Sequence, residues 1–280
     1  MEITNENYFS PAVEQAYFTN SQIKNYMKCP AYWQAKRTGF FEEPEQDYKS
    51  PLLQGTYVDM ALTEPENFPQ WCMDNADKLM GRNKKPYTVF NTLDKVIARL
   101  RKDEYFMSHL EGSQQEIIQL EDFHGFKFKC KLDALNYDNM WLTDLKTTGN
   151  EMHSEQWTET KEGEFVKVHW IASWKYPMQL GLYREAVFEK HGFRPHPYIA
   201  ATEKKEVPNF EVFDLMANPG DEMILRSEVQ RGIDTMAFMA DDIDKEPIEL
   251  EKCGRCQYCL TIKKLFRPVA FKYDPRMLEF

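Results

Sequence analysis

Ile23, Tyr26 and Met27 recur at helical spacing over residues 19–28, behind the candidate caps Asn20 and Ser21, and Pro30 reads as the stop. A second helix is expected over 52–62, where Gly55 and Asp59 fall one turn apart on one face. Residues 65–87 hold few apolar positions and include GRNKKP, the pattern of a mobile surface excursion. Beyond it Val89, Phe90, Leu93, Val96, Ile97 and Leu100 mark an amphipathic helix with a charged far side.

The period then changes. In the stretch that begins at Glu116, Phe126, Phe128, Cys130 and Leu132 alternate with Lys127, Lys129, Lys131 and Asp133, which predicts a strand with one wet face. A polar turn at 137–139 leads into a partner strand over 140–147. Residues 149–169 read as a loop, followed by a helix over 172–190 with Pro177 in its first turns and Gly192 past its end. Strands near 198–202 and 210–213 and a helix over 221–239 complete the order β, β, β, α, β, β, α. That order predicts an α/β fold with a central mixed sheet flanked by helices. No internal repeat or long Gly/Ser linker divides the chain, so one domain over residues 1–280 is expected.

With 42% hydrophobic and 29% charged residues the chain can build a full core, and no apolar run approaches membrane-spanning length. The opening MEITNENYFSPAVEQ has neither the basic stretch nor the apolar run of a secretion signal, so a cytoplasmic location is expected. Lys and Arg total 35 against 45 Asp and Glu, a net charge of -10 that argues against a protein coating nucleic acid with its whole surface. A site that holds cations still needs carboxylates, and phosphate contact needs only local basic groups such as Arg82, Lys84 and Lys85. The histidines are scattered and neither G-x-S-x-G nor G-x4-G-K-[ST] occurs, which leaves no nucleophilic triad and no nucleotide-driven motor. Trp71, Trp157, Trp170 and Trp174 are candidates for stacking on unpaired bases or for ordinary core packing.

The informative stretch is CKLDALNYDNMWLTDLKTT, residues 130–148. With a turn at Asp138-Asn139, facing residues have numbers that sum to 277, so Asp133 lies opposite Asp144 and Leu132 opposite Leu145. Two carboxylates so placed repel unless a cation lies between them, and aspartate oxygens favour Mg²⁺ or Mn²⁺. Lys146 follows on the face of Asp144, where its ammonium can stabilise charge at a scissile phosphate. A solvent-facing charged hairpin is the plainer alternative. On the helix over 172–190, Lys175, Gln179 and Tyr183 form a polar stripe at one-turn spacing. Six cysteines occur, three of them in CGRCQYC as Cys253, Cys256 and Cys259, a run that needs a fourth ligand for tetrahedral zinc or a cubane cluster.

The hairpin resembles the core motif of the PD-(D/E)XK nuclease superfamily, with Asp133 as its first acid and Asp144-Leu145-Lys146 as its D-x-K element. Residues 21–39, SQIKNYMKCPAYWQAKRTG, look like the first helix and CP element of the RecB-like branch. Gly55-Thr56-Tyr57-Val58-Asp59 is similar to that branch's G-x-x-x-H helix, with Asp59 where many relatives carry a histidine ligand. Gln179-Leu180-Gly181-Leu182-Tyr183 resembles its Q-x-x-x-Y motif. The likeness is greatest to phage RecE-like nucleases and CRISPR adaptation exonucleases.

The resemblance implies a restriction-endonuclease-like core over 112–215, preceded by helices over 20–62 and followed by the thiol cluster over 250–262. It implies Mg²⁺ or Mn²⁺ held by Asp59, Asp133, Asp144 and the Leu145 carbonyl, with Lys146, Gln179 and Tyr183 completing the catalytic set and Glu116 in support. It also implies that Cys29 joins Cys253, Cys256 and Cys259 on a [4Fe-4S] cluster, with Zn²⁺ as the alternative, tying the two ends of the domain together. The implied activity is a metal-dependent DNA exonuclease of phage or bacterial recombination or repair, with a single-strand annealing recombinase as partner, no membrane association and homo-oligomerisation left open. An endonuclease or nickase on the same fold and a non-catalytic, zinc-stapled DNA-binding module are the rival readings.

Overall fold

The computed structural model describes residues 2–159 and 164–264. The chain opens with α1 (Pro11–Ala16), α2 (Asn20–Lys28) and α3 (Pro30–Arg37). The Thr19 hydroxyl, not Asn20 or Ser21, caps α2 by accepting from the Gln22 amide at 3.2 Å. Cys29 ends α2 in extended conformation and at once caps α3, whose first residue is Pro30. The proline expected to stop one helix therefore starts the next, since its fixed φ suits a first turn.

Helix α4 (Pro51–Thr63) is followed by α5 (Phe68–Asp74) and α6 (Ala76–Leu79), so most of the expected excursion is helical. Its few apolar residues are large aromatics: Phe68 and Trp71 pack on Tyr57, with ring centroids 5.0 and 6.2 Å away. Helix α7 (Thr88–Leu100) buries Phe90, Leu93, Val96, Ile97 and Leu100 as its period requires. A short α8 (Glu104–Ser108) precedes the sheet.

The strands are β1 (Gln114–Phe123), β2 (Phe126–Asn136), β3 (Trp141–Thr148), β4 (Glu155–Glu159), β5 (Phe165–His169), β6 (His196–Glu203) and β7 (Phe210–Asp214). The order β1-β2-β3-β6-β7 forms one mixed sheet in which only β3 and β6 run parallel, while β4 and β5 form a separate ribbon. That ribbon occupies part of the segment expected to be a loop. Between β5 and β6 lie α9 (Trp170–Ser173) and α10 (Tyr176–His191), and after the sheet come α11 (Asp221–Asp241) and α12 (Gln257–Thr261). Lys175, left-handed at φ 57°, separates α9 from α10, so the long helix begins later than its periodicity suggests.

Two cores cover the two faces of the sheet, giving three layers. One packs Ile23 and Trp33 with Met178, Leu182, Val229 and Met236 against Phe128, Cys130 and Leu132. The other packs Tyr57, Val58, Leu93 and Val96 against Ala134, Leu145 and Ala200.

The hairpin of β2 and β3 keeps the expected register: Ala134 pairs with Thr143, Leu135 with Leu142 and Asn136 with Trp141. Its alternation does not persist. On the β1 side Glu116 pairs with Leu132 but Gln114 with Leu135, so β2 carries one extra residue, a bulge at Asp133 and Ala134. The bulge shifts the pleat, which is why Leu132 and Leu145, expected to face each other, belong to opposite cores. The expected wet face is interrupted: Lys127 is exposed and Lys131 and Asp133 are half-buried, but Lys129 is fully buried, its ammonium 2.6 Å from Glu14 and bonded to the Tyr8 carbonyl.

Helices α10 and α11 meet through glycines. A Cβ on Gly181 would stand 2.6 Å from Val229 Cγ2, and one on Gly232 2.9 Å from Leu182 Cδ1. Because a β-branched neighbour yields little, Gly181→Ala should cost about 1–3 kcal/mol through overpacking. A lowered denaturation midpoint with unchanged cooperativity is the expected result, and a midpoint equal to wild type would show that the helices can separate freely.

Candidate active site and thiol centre

The ladder between β2 and β3 stops at Ala134–Thr143, and the bulge turns Asp133 into the gap beyond. There its carboxylate replaces a backbone partner: Asp133 Oδ2 accepts the Leu145 amide at 3.0 Å. Further along, the free edge of β2 is bridged by Phe18, whose amide donates to the Lys127 carbonyl and whose carbonyl accepts from the Lys129 amide. Since Thr19 caps α2 immediately after that bridge, the first turns of α2 are fixed beside the opening.

Asp144 lies 2% exposed on β3, with Lys146 Nζ 2.5 Å from its Oδ2. The same ammonium stands 3.9 Å from Asp133 Oδ2 and donates to the Leu145 carbonyl at 3.1 Å. Asp59 approaches from α4. Gly55, one turn earlier, lets that helix lie close to β3, because a Cβ there would already touch Thr147 Oγ1 at 3.4 Å. Thr63 donates to both the carbonyl and the carboxylate of Asp59.

The charges do not balance in this cleft. Burial raises Asp59 to about 6, opposed by Lys146 and Lys131 and aided by Asp144. Burial, then repulsion from Asp144, holds Asp133 well above the usual carboxylate range, while Lys146 and the Leu145 amide pull the other way. For Lys146 burial lowers the value, but Asp144 and Asp133 outweigh it and keep the ammonium charged. Among the described residues only the four cysteines form a group of three or more candidate ligands with ligand atoms all within 4.8 Å; the three carboxylates are not drawn together so tightly.

Gln179 on α10 donates to Asp144 Oδ1 at 2.9 Å. Tyr183, one turn on, is half-buried; burial raises its hydroxyl well above its usual range, and the charges of Asp144 and Asp133 add to the shift. Lys175 does not join them. It lies before the first turn of α10, and Arg231 and Glu228 of α11 are its charged neighbours. The second cation comes instead from α2: Lys24 Nζ donates to Gln179 Oε1 at 2.9 Å and Asn20 Nδ2 to the same oxygen at 3.1 Å. Tyr176 lies between the two lysines, its ring centroid 4.5 Å from Lys24 Nζ and 5.4 Å from Lys146 Nζ. Asn20, Lys24 and Tyr176 escaped the motif reading. The pattern Thr19-x-x-Gln22, a capping-box spacing, would have started the helix correctly and shown Asn20 and Lys24 as a polar pair one turn apart on it.

Glu116 stands in a cluster of its own, accepting from Lys190 at 2.9 Å and Tyr137 at 2.7 Å and contacting His191 Nε2 at 2.8 Å. Burial raises its value, but these partners outweigh it and hold it below its usual range. No contact joins Glu116 to Asp133 or Asp144 among the described residues. Trp170 is core, whereas Trp157 and Trp174 are exposed.

The four thiols Cys29, Cys253, Cys256 and Cys259 come together where α3 meets α12 and tie the amino- and carboxy-terminal parts of the domain. Cys29 and Cys259 sulfurs are 3.6 Å apart, and the amides of Cys253, Cys256 and Cys259 point at the sulfurs of Cys29, Cys253 and Cys256 at 3.5, 3.3 and 3.5 Å. Burial raises the Cys253 thiol, yet the amides of Arg255 and Cys256 outweigh it and bring it down to about 7. At Cys29 and Cys256 burial outweighs the amides and holds the thiols above their usual range, so Cys253 is the thiol most ready to ligate as thiolate. Cys130 is a buried strand residue and Cys72 a half-buried helix residue outside this group.

A family model described as a PDDEXK-like domain of unknown function matches residues 19–261. No curated protein matches the chain. The fold recurs in the crystal structure of a protein from Eubacterium rectale provisionally named an exonuclease, with a TM-score of 0.82 and 24% identity over 96% of this chain and 97% of that one. No helix among the described residues is long and apolar enough to cross a membrane.

The charge imbalance has a measurable cost. Asp133→Asn keeps an acceptor for the Leu145 amide but removes a carboxyl whose ionisation desolvation and Asp144 oppose, so in chelator-treated protein at neutral pH it should raise the midpoint of unfolding. Thermal unfolding checks this. A variant less stable than wild type would mean that the acids are not in conflict.

Proposed function

The chain belongs to the PDDEXK-like family whose model it matches, and from that premise we propose that it is a divalent-metal-dependent deoxyribonuclease, acting as an exonuclease. The observation that carries this reading is the group of buried Asp144 with half-buried Asp133 and Lys146, the Asp133 carboxylate being seated on the Leu145 amide. Asp59, Asp133 and Asp144 with the Leu145 carbonyl would hold Mg²⁺ or Mn²⁺. The fit rests on two features: the donors are hard oxygens, and among the described residues Lys146 alone comes within 4.0 Å of Asp133 or Asp144, with no ammonium that close to Asp59. When bound, such an ion supplies Lewis-acid charge and lowers the pKa of the attacking water.

The chain's own groups do the rest. Lys146, held in place by Asp144 and the Leu145 carbonyl, brings a permanent positive charge to the phosphate as the bond to the leaving sugar oxygen lengthens. Gln179 fixes the rotation of the Asp144 carboxylate. Tyr183 lies near both acids and would brace the strand. The motif resemblance also supports a role in phage or bacterial recombination beside a single-strand annealing recombinase.

The four thiols can hold a metal. Four thiolates about 2.3 Å from one zinc lie about 3.8 Å from each other, and sulfurs all within 4.8 Å suit such a single ion. The [4Fe-4S] cluster implied by the resemblance would need a wider frame, because each thiolate binds a different iron.

Digestion of end-labelled linear and closed circular DNA with Mg²⁺ or Mn²⁺ tests the reading. Wild type should degrade linear DNA and spare circles, while Asp144→Ala and Lys146→Ala should each lose at least about 100-fold in rate. Cleavage of circles would favour an endonuclease, and intact linear DNA with both metals would favour the non-catalytic module. Metal analysis of anaerobically purified protein assigns zinc or iron to the thiols.

A further inference from the structure

A glutamine side chain presents an acceptor on one side and two donors on the other, and which of them meets a catalytic acid depends on what lies behind the amide. Behind Gln179 lies one face of α2. Asn20 Nδ2 and Lys24 Nζ, one helical turn apart, both donate to Gln179 Oε1, at 3.1 and 2.9 Å. The amide nitrogen is thereby left for Asp144 Oδ1, at 2.9 Å. Turned over, the amide would set its NH₂ against the Lys24 ammonium and its oxygen against the Asp144 carboxylate, so both charged contacts would become repulsive.

Lys24 is costly to keep there. Burial and the neighbouring Lys146 lower it to about 7, with Asp144 only partly opposing them. Among the described residues no carboxylate lies within 4.0 Å of its ammonium. Its other close neighbour is the Tyr176 ring, which also faces Lys146. A half-buried ammonium without an ion-pair partner is a poor stabilising device.

We propose that Lys24, assisted by Asn20, is a positioning residue of the site: it fixes the amide of Gln179 so that Asp144 is held by Oδ1 and keeps Oδ2 for the cation and Lys146. Lys24 acts through Gln179 and does not contact the DNA. The inference rests on the nuclease reading above.

A double-mutant cycle tests it, with Mn²⁺ affinity by calorimetry and cleavage rate on linear DNA as readouts. Lys24→Met and Gln179→Leu should each weaken affinity or rate by about 10- to 100-fold, the usual range for groups that orient metal ligands. The double variant should lose no more than the worse single, because both changes cut one chain of contacts. Losses that multiply, or a Lys24→Met effect confined to KM, would assign Lys24 to substrate phosphate and overturn the proposal. Should Lys24→Met not fold, Asn20→Ala replaces it in the cycle, with a smaller single effect and the same non-additivity expected. A wild type that neither binds Mn²⁺ nor cleaves DNA removes the nuclease reading and this inference together, whereas an active wild type with multiplicative losses removes this inference alone.

Discussion

Three acids share a cleft in which one ammonium makes the close contacts, and the surrounding architecture follows from keeping them there. Left to side-chain repulsion, Asp133 and Asp144 would separate. They stay because Lys146 pairs with Asp144 and stands near Asp133, and because each acid also accepts an amide: Asp133 that of Leu145, and Asp144 that of Gln179. The bulge in β2 makes the first of these contacts available. It ends the regular ladder at Ala134–Thr143, and a carboxylate takes the hydrogen bond that a strand would otherwise have filled.

The helices act as a frame around that opening. Helix α4 lies close to β3 at Gly55, so Asp59 reaches the cleft from one face of the sheet. Helix α10 brings Gln179 from the other, and its path is set by the glycine contacts with α11. Helix α2 closes the gap where β2 and β3 part, because the Phe18 bridge fixes where that helix begins. Cys29 ends α2, so the thiol centre anchors the far end of the helix that carries Asn20 and Lys24. The thiol centre and the Gln179 amide at the acids are in this way linked through the nine residues of one helix.

Much of the fold was legible because long-range order follows local period in α4, α7, α10 and the main strands. The register of the hairpin was readable from its turn, and the pairing of Leu135 with Leu142 keeps it. The bulge was not, since an extra residue leaves no local mark when Leu132, Asp133, Ala134 and Leu135 fit either pleat. Lys129 read as solvent-facing because its partner, Glu14, is 115 residues away in sequence. The aromatic anchors of α5 were hidden for the opposite reason: a few large rings bury a segment that counts of apolar residues describe as polar. At the site, residues belonging to a recognisable motif were found, whereas Lys24 and Tyr176 were not, because their position depends on which helix faces the split ladder. Lys175, one turn from Gln179 by number, was misread since a left-handed residue breaks the helix there.

The central claim is that the space between Asp133 and Asp144 is a place for a hard divalent cation, occupied for now only by the reach of Lys146. Anomalous scattering from crystals soaked in manganese tests this most directly. The account predicts a manganese peak between those two carboxylates. Well-diffracting soaked crystals with no peak there would contradict it.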